Sequence, residues 1–126
     1  MSLGDLETAV MEYCWMSGEN DAKSVHRAIG EARQITLNTI QSTLKRLYAK
    51  GLLVRQKVSH AHVYAPRISR EEFQRHVLAE IATGLSRSET AGMLAAFVDL
   101  AERAGEETLE RLERLVAERL RARGRQ

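Results

Sequence analysis

Proline and cysteine occur once each in this chain, and acid is missing from its middle. Between Arg33 and Arg67 there is no Asp or Glu. Arg33, Lys45, Arg46, Lys50, Arg55, Lys57 and Arg67 all lie there, so the window holds seven fixed positive charges with its histidines neutral. The whole chain is nearly balanced, with 19 Lys and Arg against 17 Asp and Glu. Charge of one sign gathered in a balanced chain points to an anionic polymer or surface as partner, against the plainer reading of a solvated face. A single cysteine, Cys14, excludes an internal disulfide. It falls on an apolar helical stripe and reads as a buried thiol in a reducing compartment. No apolar run is longer than the one from Met93 to Val98, far short of a bilayer span. The opening MSLGDLE has no basic segment followed by an apolar one, so no signal peptide and a cytoplasmic location are expected.

Also lacking is any catalytic or metal-binding constellation. Ser, His and Asp occur, but in no nucleophile-elbow context, and the glycines make no phosphate-cradling loop, so no enzyme is expected. His60 and His62, with His26 and His76 elsewhere, have no Cys or carboxylate at metal-ligand spacing and read as exposed imidazoles. No metal and no cofactor is expected. Trp15 reads as a core or domain-junction residue.

What is present is a set of short helices with a hairpin among them. Leu6, Ala9, Val10, Tyr13, Cys14 and Met16 recur at helical spacing and predict a first helix over 5–16, capped by Asp5 and ended by Gly18. Asn20 and Asp21 offer capping oxygens to a second helix with the stripe Ala22, Val25, Ala28 and Ile29, running to about Ala32. Thr36 caps a third, whose buried side is Leu37, Ile40, Leu44, Leu47 and Tyr48 and which closes at Lys50-Gly51. Two strands follow. Leu52, Val54, Gln56 and Val58 share one face of the first, Leu53, Arg55 and Lys57 the other; Ala61, Val63 and Ala65 alternate with His62 and Tyr64 in the second. Pro66 ends the hairpin and marks a boundary at 67/68. From there the pattern is helical. Ser69 and Glu72 form a capping box for a helix through Phe73, Val77, Leu78 and Ile81 to Gly84. Ser86 or Ser88 starts another, with Met93, Leu94, Phe97, Val98 and Leu100. The last runs from Glu106 to about Arg121 with Leu109, Leu112, Leu115, Val116 and Leu120, and the residues after it are expected to fray.

The third helix has an unusual exterior. Asn38, Thr39, Gln41, Ser42 and Thr43 are short or uncharged polar residues where a solvated helix ordinarily carries Glu, Lys or Arg. Three short helices followed by a β-hairpin is the order of a winged helix-turn-helix, and in that fold such a face has a use. A helix fits the DNA major groove, where small hydrogen-bonding groups near its N-terminus approach base edges. The expected fold class is therefore mainly α with a small β-hairpin: a winged helix-turn-helix over 1–67, then a helical dimerisation region over 68–126. The residues expected to meet DNA are Asn38, Thr39, Gln41, Ser42, Lys45, Arg46 and Lys50 of the third helix, with Arg55, Lys57 and His60 of the hairpin. The C-terminal helices are too short to build a separate core alone. Sharing Phe97, Val98, Leu109, Leu112, Val116 and Leu120 between two chains would give them one, against the plainer packing of those helices onto the first domain.

The stretches LGDLETAVMEYCW, TLNTIQSTLKRLYAKGLL and VYAPRISREEF, in that order and spacing, resemble the penicillinase repressor (BlaI/MecI/CopY) family of bacterial transcriptional regulators. The resemblance is close over 3–73 and looser beyond. It implies a homodimer on a palindromic operator that blocks transcription, with Asn38, Thr39, Ser42 and Arg46 at the recognition positions. Many members have Lys where Asn38 stands, and Gly-Arg where the hairpin turn here has Ser59-His60. Copper-responsive members carry a C-terminal cysteine cluster that this chain lacks. Some members are inactivated when a membrane sensor protease system triggers cleavage in the dimerisation region. The corresponding bond here is Ala96-Phe97; members cut there often have Asn before the Phe, which leaves proteolytic control open. A winged-helix module that binds protein, and a winged-helix regulator responsive to a small molecule, are the alternatives to a DNA-binding repressor.

Overall fold

The computed structural model describes residues 2–125, with the backbone alone at Ser88; Met1 and Gln126 lie outside the described residues. It divides into two compact units, Met1–Glu80 and Ile81–Gln126. The division falls later than the 67/68 boundary expected from Pro66. Ile68 and Phe73 pack against the core of the first unit, and Trp15 holds them there. The indole N–H of Trp15 donates to the Ile68 carbonyl at 2.9 Å, and its ring lies 5.7 Å from that of Phe73.

In the first unit, α1 (Asp5–Ser17) is capped by Gly4, not Asp5: the Gly4 N–H donates to Glu7 Oε1 at 3.1 Å. Its buried stripe is Val10, Met11 and Cys14. Met16 is 78% exposed, so the stripe ends before it. Burial without a nearby cation raises the Cys14 thiol to about 11, which keeps it protonated and unreactive.

A strand absent from the sequence reading follows. β1 (Asn20–Asp21) pairs with the second hairpin strand, making a three-stranded antiparallel sheet in the order β1-β3-β2. Asp21 then caps α2 (Ala22–Val25), its carboxylate accepting from the Ser24 N–H at 2.8 Å. From His26 to Gly30 the helix widens into a π-type turn. It does not run on to Ala32, and Ala28 is exposed instead of lying on a buried stripe.

The helix α3 (Leu37–Ala49) begins as its sequence predicts, with Thr36 Oγ1 accepting from the Thr39 N–H at 3.2 Å. Ile40, Leu44 and Leu47 are buried. Two positions depart from the pattern. Thr43 is fully buried instead of facing outward, and Tyr48 is 41% exposed instead of facing the core. Thr43 tolerates burial because its hydroxyl is satisfied, donating to the Thr39 carbonyl at 2.8 Å. The helix closes through Gly51 at φ 82°, where an added Cβ would also sit 3.1 Å from an Arg67 guanidinium nitrogen.

Leu52 is buried but lies just before the strand instead of inside it. The hairpin β2 (Leu53–Val58) and β3 (Ala61–Pro66) pairs Leu53 with Pro66 and Val58 with Ala61, leaving Ser59 and His60 as the turn. Leu53 and Tyr64 face the core. Val54 and Val58 face away from it and are about half exposed.

α4 (Arg70–Thr83) starts at Ser69, whose hydroxyl oxygen accepts from the Glu72 N–H at 3.0 Å. The reach-back differs from the expected box: the Ser69 hydroxyl itself donates to Glu72 Oε1 at 3.4 Å. Beyond it, α5 (Arg87–Arg103) is capped by Ser86, with a reciprocal bond from the Ser86 N–H to Glu89. α6 (Glu106–Gly124) runs past the expected end at Arg121, so the segment expected to fray is helical as far as Gly124. Among the described residues, none from Ile81 onward is buried. Among the described residues, no helix is long and apolar enough to cross a membrane.

Candidate nucleic-acid interface

At 100° per residue, the exposed polar side chains of α3 other than Tyr48 fan out in the order Gln41, Lys45, Asn38, Ser42, Arg46 and Thr39, over an arc of about 160°. No carboxylate stands on that arc. Each flank is held differently. On one side, Arg46 Nη2 donates to Thr43 Oγ1 at 3.2 Å, so the buried threonine anchors the guanidinium that leaves the helix surface. On the other, Gln41 and Lys45 form one wall of a groove of about 570 Å³. Its opposite side is built from Asp21, Ala22 and Lys23 and from the hairpin residues Ser59, His60, Ala61, His62 and Tyr64. The third helix and the tip of the wing are thus brought to a common concavity by the β1-β3 pairing, which ties the start of α2 to the wing.

The expected site residues separate into two groups. Asn38, Thr39, Gln41, Ser42, Lys45 and Arg46 are exposed together on α3, and His60 and Lys57 are exposed on the wing. Lys50 and Arg55 have partners within the fold. Lys50 Nζ donates to Glu7 Oε2 at 2.8 Å, tying the end of α3 to α1. That hydrogen bond is the main cause that lowers the Glu7 carboxyl below its ordinary range. The Arg55 guanidinium stacks 4.1 Å above the Tyr48 ring, which also explains the exposed Tyr48: it is the platform for a cation.

Two residues of the site were missed by sequence reasoning. Lys23 lines the groove together with His62 of the wing, and Thr43 orients Arg46. Lys23 carried a signal, since the first helix of a helix-turn-helix crosses the phosphate backbone. Thr43 carried none, because a threonine at that spacing reads as surface. Among the described residues, no group of three or more His, Cys, Asp or Glu is gathered as a metal would need.

The chain is similar to known proteins in both sequence and fold. The transcriptional regulator BlaI of Mycobacterium tuberculosis, in strains H37Rv and CDC 1551, is 35% identical over 118 residues, covering 92% of this chain and 83% of its own. The solution structure of the DNA binding domain of the repressor BlaI matches 55% of this chain and 84% of its own at 29% identity, with a TM-score of 0.51. The complex structure of hsRosR-S4, at 18% identity, shares the fold over 96% of this chain and 92% of its own, with a TM-score of 0.52. The family model described as penicillinase repressor matches residues 3–118, and with the identity to BlaI over nearly the same span, the chain belongs to the penicillinase repressor family.

Proposed function

We propose that this chain is a DNA-binding transcriptional repressor that acts in the cytoplasm as a homodimer on a palindromic operator. The observation that carries the reading is the acid-free, small polar face of α3 opening beside the wing tip in one groove. Asn38, Thr39 and Ser42 would meet base edges in the major groove; Lys45, Arg46 and Lys57 would meet phosphates. The Lys50–Glu7 pair and the Arg55–Tyr48 stack give those two cations a role in holding α3 and β2 in place.

The dimer reading rests on the second unit. α5 and α6 pack on each other, yet no described residue from Ile81 onward is buried. Phe97, Val98, Leu109, Leu112, Val116 and Leu120 all line one groove of about 720 Å³ on those two helices. Phe97 is 39% and Leu120 65% exposed. Helices of this length gain little from propensity alone and need an apolar face covered, and a second copy of the same face supplies the cover. Two copies of α3 about one DNA turn apart then read a two-fold sequence. If a sensor protease system acts on this chain, Ala96-Phe97 is the bond concerned. It lies inside α5 on that face, and its cut would leave two half-site binders that salt displaces.

Sequencing of duplexes selected from a random pool by the full chain tests the reading. A two-fold palindrome is expected. Recovery of no preferred sequence, with binding that ignores salt, would overturn it.

A further inference from the structure

The groove beside α3 has a wall that the recognition face does not use. Lys23, at the start of α2, faces it from one side, and His60 and His62 face it from the wing. All three are exposed. The groups around the imidazoles are predominantly cationic. Lys45 looks in from α3 beside the neutral Gln41, and Lys57 stands opposite His62 in the hairpin register. Tyr64 lies next to His62, their rings 6.2 Å apart. Asp21 is the one carboxylate among the lining residues. The Ser24 N–H bond holds its carboxyl below the ordinary 3.8, so it stays ionised throughout the neutral range. Two imidazoles among lysines in an open concavity make a poor cation site and a good seat for an anion.

Resting on the DNA-binding reading, we infer that Lys23, His60 and His62 form a second phosphate-gripping wall, and that its hold on the duplex backbone strengthens as the two imidazoles take up protons. A neutral imidazole offers one N–H; an imidazolium offers two and a full charge. A phosphate seated against the ring favours the charged form and raises its pKa in the complex. The sign follows from linkage. A group with the higher pKa in the complex carries more protons there than in the free protein, so affinity rises as pH falls. Each engaged ring is expected to strengthen binding several-fold between pH ~8 and pH ~6, the range in which imidazoles exchange protons. Each ring that becomes charged also neutralises one more phosphate, so the slope of log affinity against log salt steepens by about 0.9 per ring.

The experiment is an anisotropy titration of the full chain against a labelled random-sequence duplex of about 30 base pairs, at several salt concentrations from ~50 to ~200 mM and at about pH 6 and pH 8. Wild type is expected to bind tighter, with a steeper salt slope, at the lower pH. His60→Gln/His62→Gln should lose both differences, even though His26 and His76 remain in the variant. Lys23→Ala should flatten the slope by about 0.9 per copy of the chain engaged at both pH values. Equal affinity and slope at the two pH values in wild type, or a pH response that survives the double substitution, would overturn the inference and leave the repressor reading standing. An unchanged slope in Lys23→Ala would remove Lys23 from the wall. Absence of binding at every pH and salt would overturn both readings together.

Discussion

His26 bridges the two helices of the helix-turn-helix: its Nε2 lies 2.9 Å from the carbonyl oxygen of Ile35, the residue before the Thr36 cap of α3. Gly30 makes room for the ring. A Cβ there would stand 2.6 Å from His26 Cδ2 and 3.3 Å from the same Ile35 oxygen. Gly30→Ala is therefore expected to destabilise the first unit by about 1–3 kcal/mol. Urea unfolding followed by circular dichroism measures it, and a midpoint equal to wild type would show that the ring moves aside freely.

The Glu7–Lys50 pair makes an acid-sensitive clamp between α1 and the end of α3. Its folded carboxyl titrates below the ordinary 4.5, chiefly because it accepts from Lys50. Its contribution is full above about pH 4.5 and is lost as pH falls through the lowered folded value. Glu7→Gln should cost up to about 1 kcal/mol at neutral pH, because the lysine end is partly in water. The gap between variant and wild type should close in acid; a gap that stays constant down to about pH 3 would refute the linkage.

Thr43→Val keeps the shape of a buried side chain but removes the acceptor that holds Arg46. Its effect on DNA binding is expected to resemble that of Arg46→Ala more than its burial suggests. By contrast, Thr39→Ala and Ser42→Ala should reduce preference among sequences more than affinity, while Lys45→Ala reduces affinity on all sequences alike. Competition titrations with specific and random duplexes separate the three patterns.

Ser59 holds φ 58° at the first position of the two-residue turn. A positive φ there favours glycine, so Ser59→Gly should stabilise the wing by up to about 1 kcal/mol. His60→Arg puts a permanent charge at the next position and should tighten DNA binding at about pH 7.5. Unchanged affinity would count against a wing contact at the tip.

Phe97→Asp and Val116→Asp place a charge on the uncovered face of α5 and α6. Sedimentation is expected to show pairs for the wild type and single chains for each variant, with the first unit still folded because its core is separate. Pairs that persist in both variants would move the dimer interface elsewhere.

Much of the architecture was legible before any coordinates. The i, i+3, i+4 spacing of Ile40, Leu44 and Leu47 sets α3, and Thr36 and Gly51 set its ends, because caps and periodicity are local properties. The alternation after Gly51 sets the hairpin for the same reason. The polar face of α3 and the six apolar positions of the C-terminal helices could likewise be read from spacing alone. Only the folded chain decided the rest. β1 is two residues long, too short to carry a period, and exists because β3 offers it an edge. Thr43 is inside because Thr39 and Arg46 satisfy its hydroxyl, and Tyr48 is outside because Arg55 covers its ring. Whether a cation is free for a ligand or already paired depends on residues far away in sequence, as Glu7 is from Lys50. Sequence fixes what each segment is able to bury or bond; which partner it meets is a matter of distance in three dimensions.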